Sequence, residues 1–118
     1  MHYQETVVWK KAIRLAELVC MSSAGLPAQE RYGIRLQITR SAVSVAGNIA
    51  EGWTRESKRE RSQFLAIAHG SLSELRTQLA LCERISWLPS GSLMEPMRLI
   101  DEISRMPTVL RRKERTEW

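Results

Sequence analysis

Residues 36–53 read LQITRSAVSVAGNIAEGW, and this stretch decides how the rest of the chain folds. Between Ala42 and Ala50 the apolar or small residues Ala42, Val43, Val45, Ala46, Gly47, Ile49 and Ala50 go nearly all the way round a helix. A surface helix carries one apolar stripe instead. The pattern predicts a helix buried on most sides, more completely than a single small bundle achieves, and so implies contact with other subunits. Ser44, Asn48 and Glu51 follow one another at steps of four and three, which places them on one face as a polar strip within that helix. Buried polar groups need partners, so Ser44, Asn48, Glu51, Ser71 and Glu74 are expected to form a buried or subunit-bridging hydrogen-bond network. Gly52 is expected to close the helix in a left-handed conformation, ahead of the polar run 54–61.

On either side of this stretch the apolar spacing predicts three more helices. The first spans about 6–23, with Thr6 as N-cap and Val8, Ala12, Leu15, Ala16 and Val19 in one stripe, and Gly25 and Pro27 stop it. Lys10, Lys11 and Arg14 lie on its polar side as a solvated face. The second helix is expected over 28–52, with Tyr32, Leu36 and Val43 extending its buried face and Gln37 and Arg40 pairing across helices. The third runs over 57–88, where Leu65, Ala68, Leu72, Leu75, Leu79 and Cys82 repeat at alternating steps of three and four, the spacing of a bundle seam. Phe64, Ile67, Leu81, Ile85 and Leu88 add a second apolar flank. Glycine inside a helix is usually offset by close packing, so Gly47 and Gly70 are expected to mark tight helix crossings and Gly70→Leu to be disruptive. The fourth helix is expected over about 92–112 and should kink or end at Pro107. The charged tail RRKERTEW is read as frayed or disordered.

One domain of 118 residues with a formal charge of +5 favours a polyanionic partner over an acidic one. Cys20 and Cys82 each sit on an apolar helical face outside any C-x-x-C pair, which reads as two buried, reduced thiols and a cytoplasmic setting. No uncharged run reaches the roughly 18 residues of a membrane span, so neither export nor a membrane is expected. His2 and His69 are the only histidines, and there is no H-E-x-x-H, E-x-x-H, P-loop or G-x-G-x-x-G pattern. No catalytic residue, metal or cofactor is therefore assigned, and a couple of His69 with Glu51 or Glu74 is read as structural. Two basic clusters could contact phosphates without reading bases or could be ordinary surface charge: Arg55, Lys58, Arg59 and Arg61 where the third helix begins, weakened by Glu56 and Glu60, and Arg111, Arg112, Lys113 and Arg115 at the C-terminus. Aromatic interleaving that would stack single-stranded bases is absent.

The segments LPAQERYGIRLQITRSAVSVAGNIAEG and SKRERSQFLAIAHGSLSELRTQL resemble the four-helix bundle proteins encoded within bacterial 23S rRNA intervening sequences, a family related to the accessory variability proteins of diversity-generating retroelements. The resemblance runs from Trp9-Lys10-Lys11-Ala12 to Leu88. It is carried by Pro27, Glu30, Tyr32, Gly33, Gln37, Arg40, Ser44, Asn48-Ile49-Ala50-Glu51-Gly52, Phe64-Leu65, Gly70-Ser71 and Glu74-Leu75. It implies an all-α, up-down antiparallel four-helix bundle assembling into a homopentameric ring, with a positive surface for RNA or DNA. The retroelement relatives imply an alternative, a structural adaptor that recruits a protein partner such as a reverse transcriptase. The chain departs from the family at Ala46, where proline is common, and at Pro107, where an aliphatic residue is usual. No catalytic residue carries over.

Overall fold

The computed structural model describes residues 2–112, with side chains from His2 to Met106. Four α-helices, α1 (Val7–Ser23), α2 (Ile34–Trp53), α3 (Lys58–Arg84) and α4 (Met94–Arg112), are joined by turns, and no strand occurs among the described residues. Each helix packs on two others: α2 on α1 and α3, and α4 on α1 and α3. At about 1.5 Å per residue, α3 is the longest element and sets the 43 Å long axis.

Two helix starts follow from their capping residues. The Thr6 hydroxyl accepts from the Trp9 N–H at 3.2 Å and the Ser57 hydroxyl from the Glu60 N–H at 3.0 Å, each satisfying a donor with no partner inside its helix. The start of α2 differs from the expected Ala28. Ala28–Glu30 forms a 3-10 turn, and the helix proper begins only after Gly33, where the Glu30 carboxylate reaches back to the Ile34 N–H at 3.5 Å. A Cβ on Gly33 would lie 2.8 Å from that carboxylate oxygen, so a larger residue there would displace the Glu30 side chain from this position.

Two helix ends also differ from expectation. Gly52 is not left-handed; it lies buried inside α2. The end is made by Thr54, whose N–H bonds back to the Ala50 and Glu51 carbonyls and whose hydroxyl donates to the Glu51 carbonyl at 2.7 Å. Helix α3 stops at Arg84 rather than near Leu88, because Ser86 turns left-handed at φ 63°. The Ser86 N–H then reaches the Glu83 carbonyl and the Trp87 N–H the Cys82 carbonyl, at 3.1 and 2.9 Å, the paired bonds of a Schellman close. Helix α4 does not end at Pro107 but continues to Arg112.

The core takes one stripe from each helix. Val8, Ala12, Leu15 and Val19 of α1 meet Ile38, Ala42, Val45 and Ile49 of α2, with Leu99, Ile100 and Ile103 from α4. All six residues of the α3 seam, Leu65, Ala68, Leu72, Leu75, Leu79 and Cys82, are buried. The second apolar flank of α3 is another matter. Ile67, Leu81 and, just past the helix end, Ile85 are 50, 50 and 46 % exposed; on α2 Val43 is 57 % exposed, and Tyr32, in the turn before α2, is 82 % exposed. Gly47 and Gly70 mark no close crossing within the chain, since a Cβ on either would meet nothing within 4 Å. Gly70→Leu therefore has room in the folded chain and is not a disruptive substitution there. Cys20 is exposed while Cys82 is buried, so only one of the two thiols is a core residue.

Candidate nucleic-acid interface

The turn between α2 and α3 brings Arg55, Lys58, Arg59 and Arg61 together, but they do different things. The Arg55 guanidinium donates to the Glu51 carboxylate at 2.6 Å and lies 4.9 Å from the Phe64 ring centroid. This cation–π and ion-pair contact holds the turn against the start of α3. Arg61 donates to the Arg55 carbonyl at 3.1 Å, which closes the turn from the other side. Lys58 and Arg59 are exposed in the first turn of α3. Cations there oppose the positive end of the helix dipole, which Glu60 in the same turn favours, and the helix N-terminus offers N–H groups to phosphate beyond the one that Ser57 caps. Of the C-terminal cluster, the side chains of Arg111 and Arg112 and the whole of Lys113 and Arg115 lie outside the described residues.

The polar strip of α2 divides into three parts. The Ser44 and Ser71 hydroxyls meet at 2.8 Å across α2 and α3, and the Asn48 amide donates to the Ser44 hydroxyl at 2.9 Å and the Ser44 carbonyl at 2.8 Å. Glu51 is drawn instead to Arg55. Glu74 joins neither group and lines an open groove of about 290 Å³ with Gln37, Arg40, Ser41, Ser44, Ser71 and Gln78. Gln37 and Arg40 thus face this groove rather than pairing across helices. Gln78 and Ser41 were not singled out from the sequence, although Ser71, Glu74 and Gln78 fall at steps of three and four along one face.

Elsewhere, charges cancel between helices. Lys11 and Arg14 of α1 are not a purely solvated face: Lys11 pairs with Glu102 and Arg14 with Glu95, while Arg76 of α3 pairs with Asp101. The Lys11 ammonium, and then the Arg98 guanidinium, hold the Glu102 carboxyl below the usual range. Burial, and secondarily the negative charge of Glu30, pushes the Cys82 thiol up. Among the described residues no group of three His, Cys, Asp or Glu side chains gathers as a metal site requires, and no helix is long and apolar enough to cross a membrane.

The four helices accord with a wider match. The family described as 23S rRNA-intervening sequence protein matches residues 4–108. The chain belongs to this family. No curated protein matches the chain. The family match covers the whole α2–α3 turn and the groove, so both candidate surfaces lie within the shared part of the fold, and it stops short of the C-terminal basic cluster.

Proposed function

We propose that this chain is a non-enzymatic, oligomeric module that binds RNA or DNA through phosphate contacts, as an up-down antiparallel bundle assembled into a homopentameric ring. The observation that carries the reading is the distribution of charge. All three acidic residues among the described side chains of α4, Glu95, Asp101 and Glu102, are engaged by Arg14, Arg98, Arg76 and Lys11. The excess of +5 is therefore not gathered on the face that α4 shares with α1 and α3, and at the head of α3 Lys58 and Arg59 stand exposed beside Glu56 and Glu60. The up-down arrangement is supported by the pairs themselves, since the partner number falls from Glu102 to Glu95 as α1 advances from Lys11 to Arg14. The family name refers to an intervening sequence of 23S rRNA, which places RNA among the candidate partners, and the setting proposed is the bacterial cytoplasm.

No recognition helix, zinc finger or aromatic platform stands at the turn to read base edges, so binding is electrostatic and nearly independent of sequence. A ring of subunits would add weak contacts through multivalency. The test is a titration of unrelated RNA and DNA oligonucleotides at several salt concentrations. Comparable affinities that fall steeply with salt support the reading; no binding at low salt would refute it. That second outcome would favour an adaptor for a protein such as a reverse transcriptase, a reading that the internal engagement of Arg55 and Arg61 and the exposed apolar side chains of α2 and α3 support.

A further inference from the structure

The outer face of α2 and α3 combines features that one chain leaves incomplete. Its centre is the groove lined by Arg40, Ser44, Ser71, Glu74 and Gln78. Arg40 and Glu74 carry opposite charges, and neither has an ion-pair partner among the described residues. The Gln78 Oε1 atom is shut off from solvent with no donor, and a buried acceptor left without a hydrogen bond is destabilising. Along the rim, Val43 and Ile67 are half exposed, one residue before Ser44 and four before Ser71. Gly47 and Gly70, which follow at helical spacing on the same faces, leave open space where a side chain would stand. Small residues of this kind let another chain approach closely.

We infer that this face seats a second copy of the chain, with Arg40 and Glu74 of one subunit answering opposite charges of the next and Gly47 and Gly70 admitting its side chains. The charge pattern selects this occupant. Glu74 repels phosphate, so the groove is not an extension of a nucleic-acid surface, and a partner of one sign would leave either Arg40 or Glu74 unmatched. A copy of the same chain brings both signs and an apolar rim of the same kind. The inference rests on the oligomeric reading above and specifies where that oligomer is joined.

Sedimentation velocity on the full chain, with circular dichroism on the same samples, tests it. The wild type is expected to run as an oligomer at micromolar concentration. Gly70→Gln, which has room within one chain, should keep its helix signal yet associate at least tenfold more weakly. Arg40→Glu and Glu74→Arg should each weaken association, and the double reversal should recover it at least in part. An oligomeric wild type whose Gly70→Gln and charge-reversed forms associate unchanged would overturn this face as the interface and leave the oligomeric reading standing. A monomeric wild type would overturn the oligomeric reading, and this inference with it.

Discussion

Replacing Ser86 by glycine should stabilise the protein. Ser86 holds φ at 63°, a left-handed conformation that typically costs a residue with a Cβ about 1–2 kcal/mol. Its side chain is exposed and makes no hydrogen bond, so removing it forfeits little. Glycine adopts the conformation freely but loses more backbone entropy on folding, about 0.5–1 kcal/mol. The net gain is therefore on the order of 1 kcal/mol, or about 4 °C in Tm for a chain of this length. The paired bonds from Ser86 to Glu83 and from Trp87 to Cys82 would be kept. Thermal melts followed at 222 nm, with wild type and variant at equal protein concentration, measure the shift, and Ser86→Val should move it the other way. A Tm unchanged or lowered in Ser86→Gly would refute the left-handed close of α3.

Three further outcomes follow from buried and paired groups. Leu75 is fully buried in the seam, so Leu75→Ala should destabilise by about 2–5 kcal/mol in urea titrations. A thiol reagent should modify Cys20 in the native protein and reach Cys82 only on unfolding, because Cys82 is buried and its thiol is pushed up; rapid native labelling of both would contradict the packing. The Glu102 carboxyl is held low by Lys11 and Arg98, so its contribution is present above the ordinary glutamate range, about pH 4.3, and is lost as pH falls through the lowered folded value. The small stability difference between wild type and Glu102→Gln should accordingly persist at neutral pH and vanish in acid.

What the sequence made legible was whatever depends on periodicity and local capping. The steps of three and four from Leu65 to Cys82 identify the buried seam of α3, and Thr6 and Ser57 stand where the helices begin. Features that depend on a single backbone angle or on a distant partner were not legible. Ser86 has no sequence signature for a left-handed turn that glycine would have advertised, and the start of α2 turns on one carboxylate, that of Glu30, folding back over Gly33. Gly47 and Gly70 read as close crossings because helical glycine usually signals packing, yet periodicity does not say whether the neighbour belongs to the same chain. The candidate site divides in the same way. A cluster of four basic residues is visible in the sequence, whereas the engagement of Arg55 by Glu51 and Phe64, and of Arg61 by the Arg55 carbonyl, depends on how the turn closes.

The head of α3 as a phosphate-binding surface is tested most directly by the salt dependence of RNA binding in Lys58→Gln and Arg59→Gln, compared with wild type. If these side chains contact phosphate as proposed, each substitution removes one such cation and should reduce the slope of log affinity against log salt by about one. That reduction is expected in both variants, together with weaker binding that is uniform across unrelated sequences. A slope and affinity identical to wild type in both would contradict a phosphate-binding role for this end of the helix.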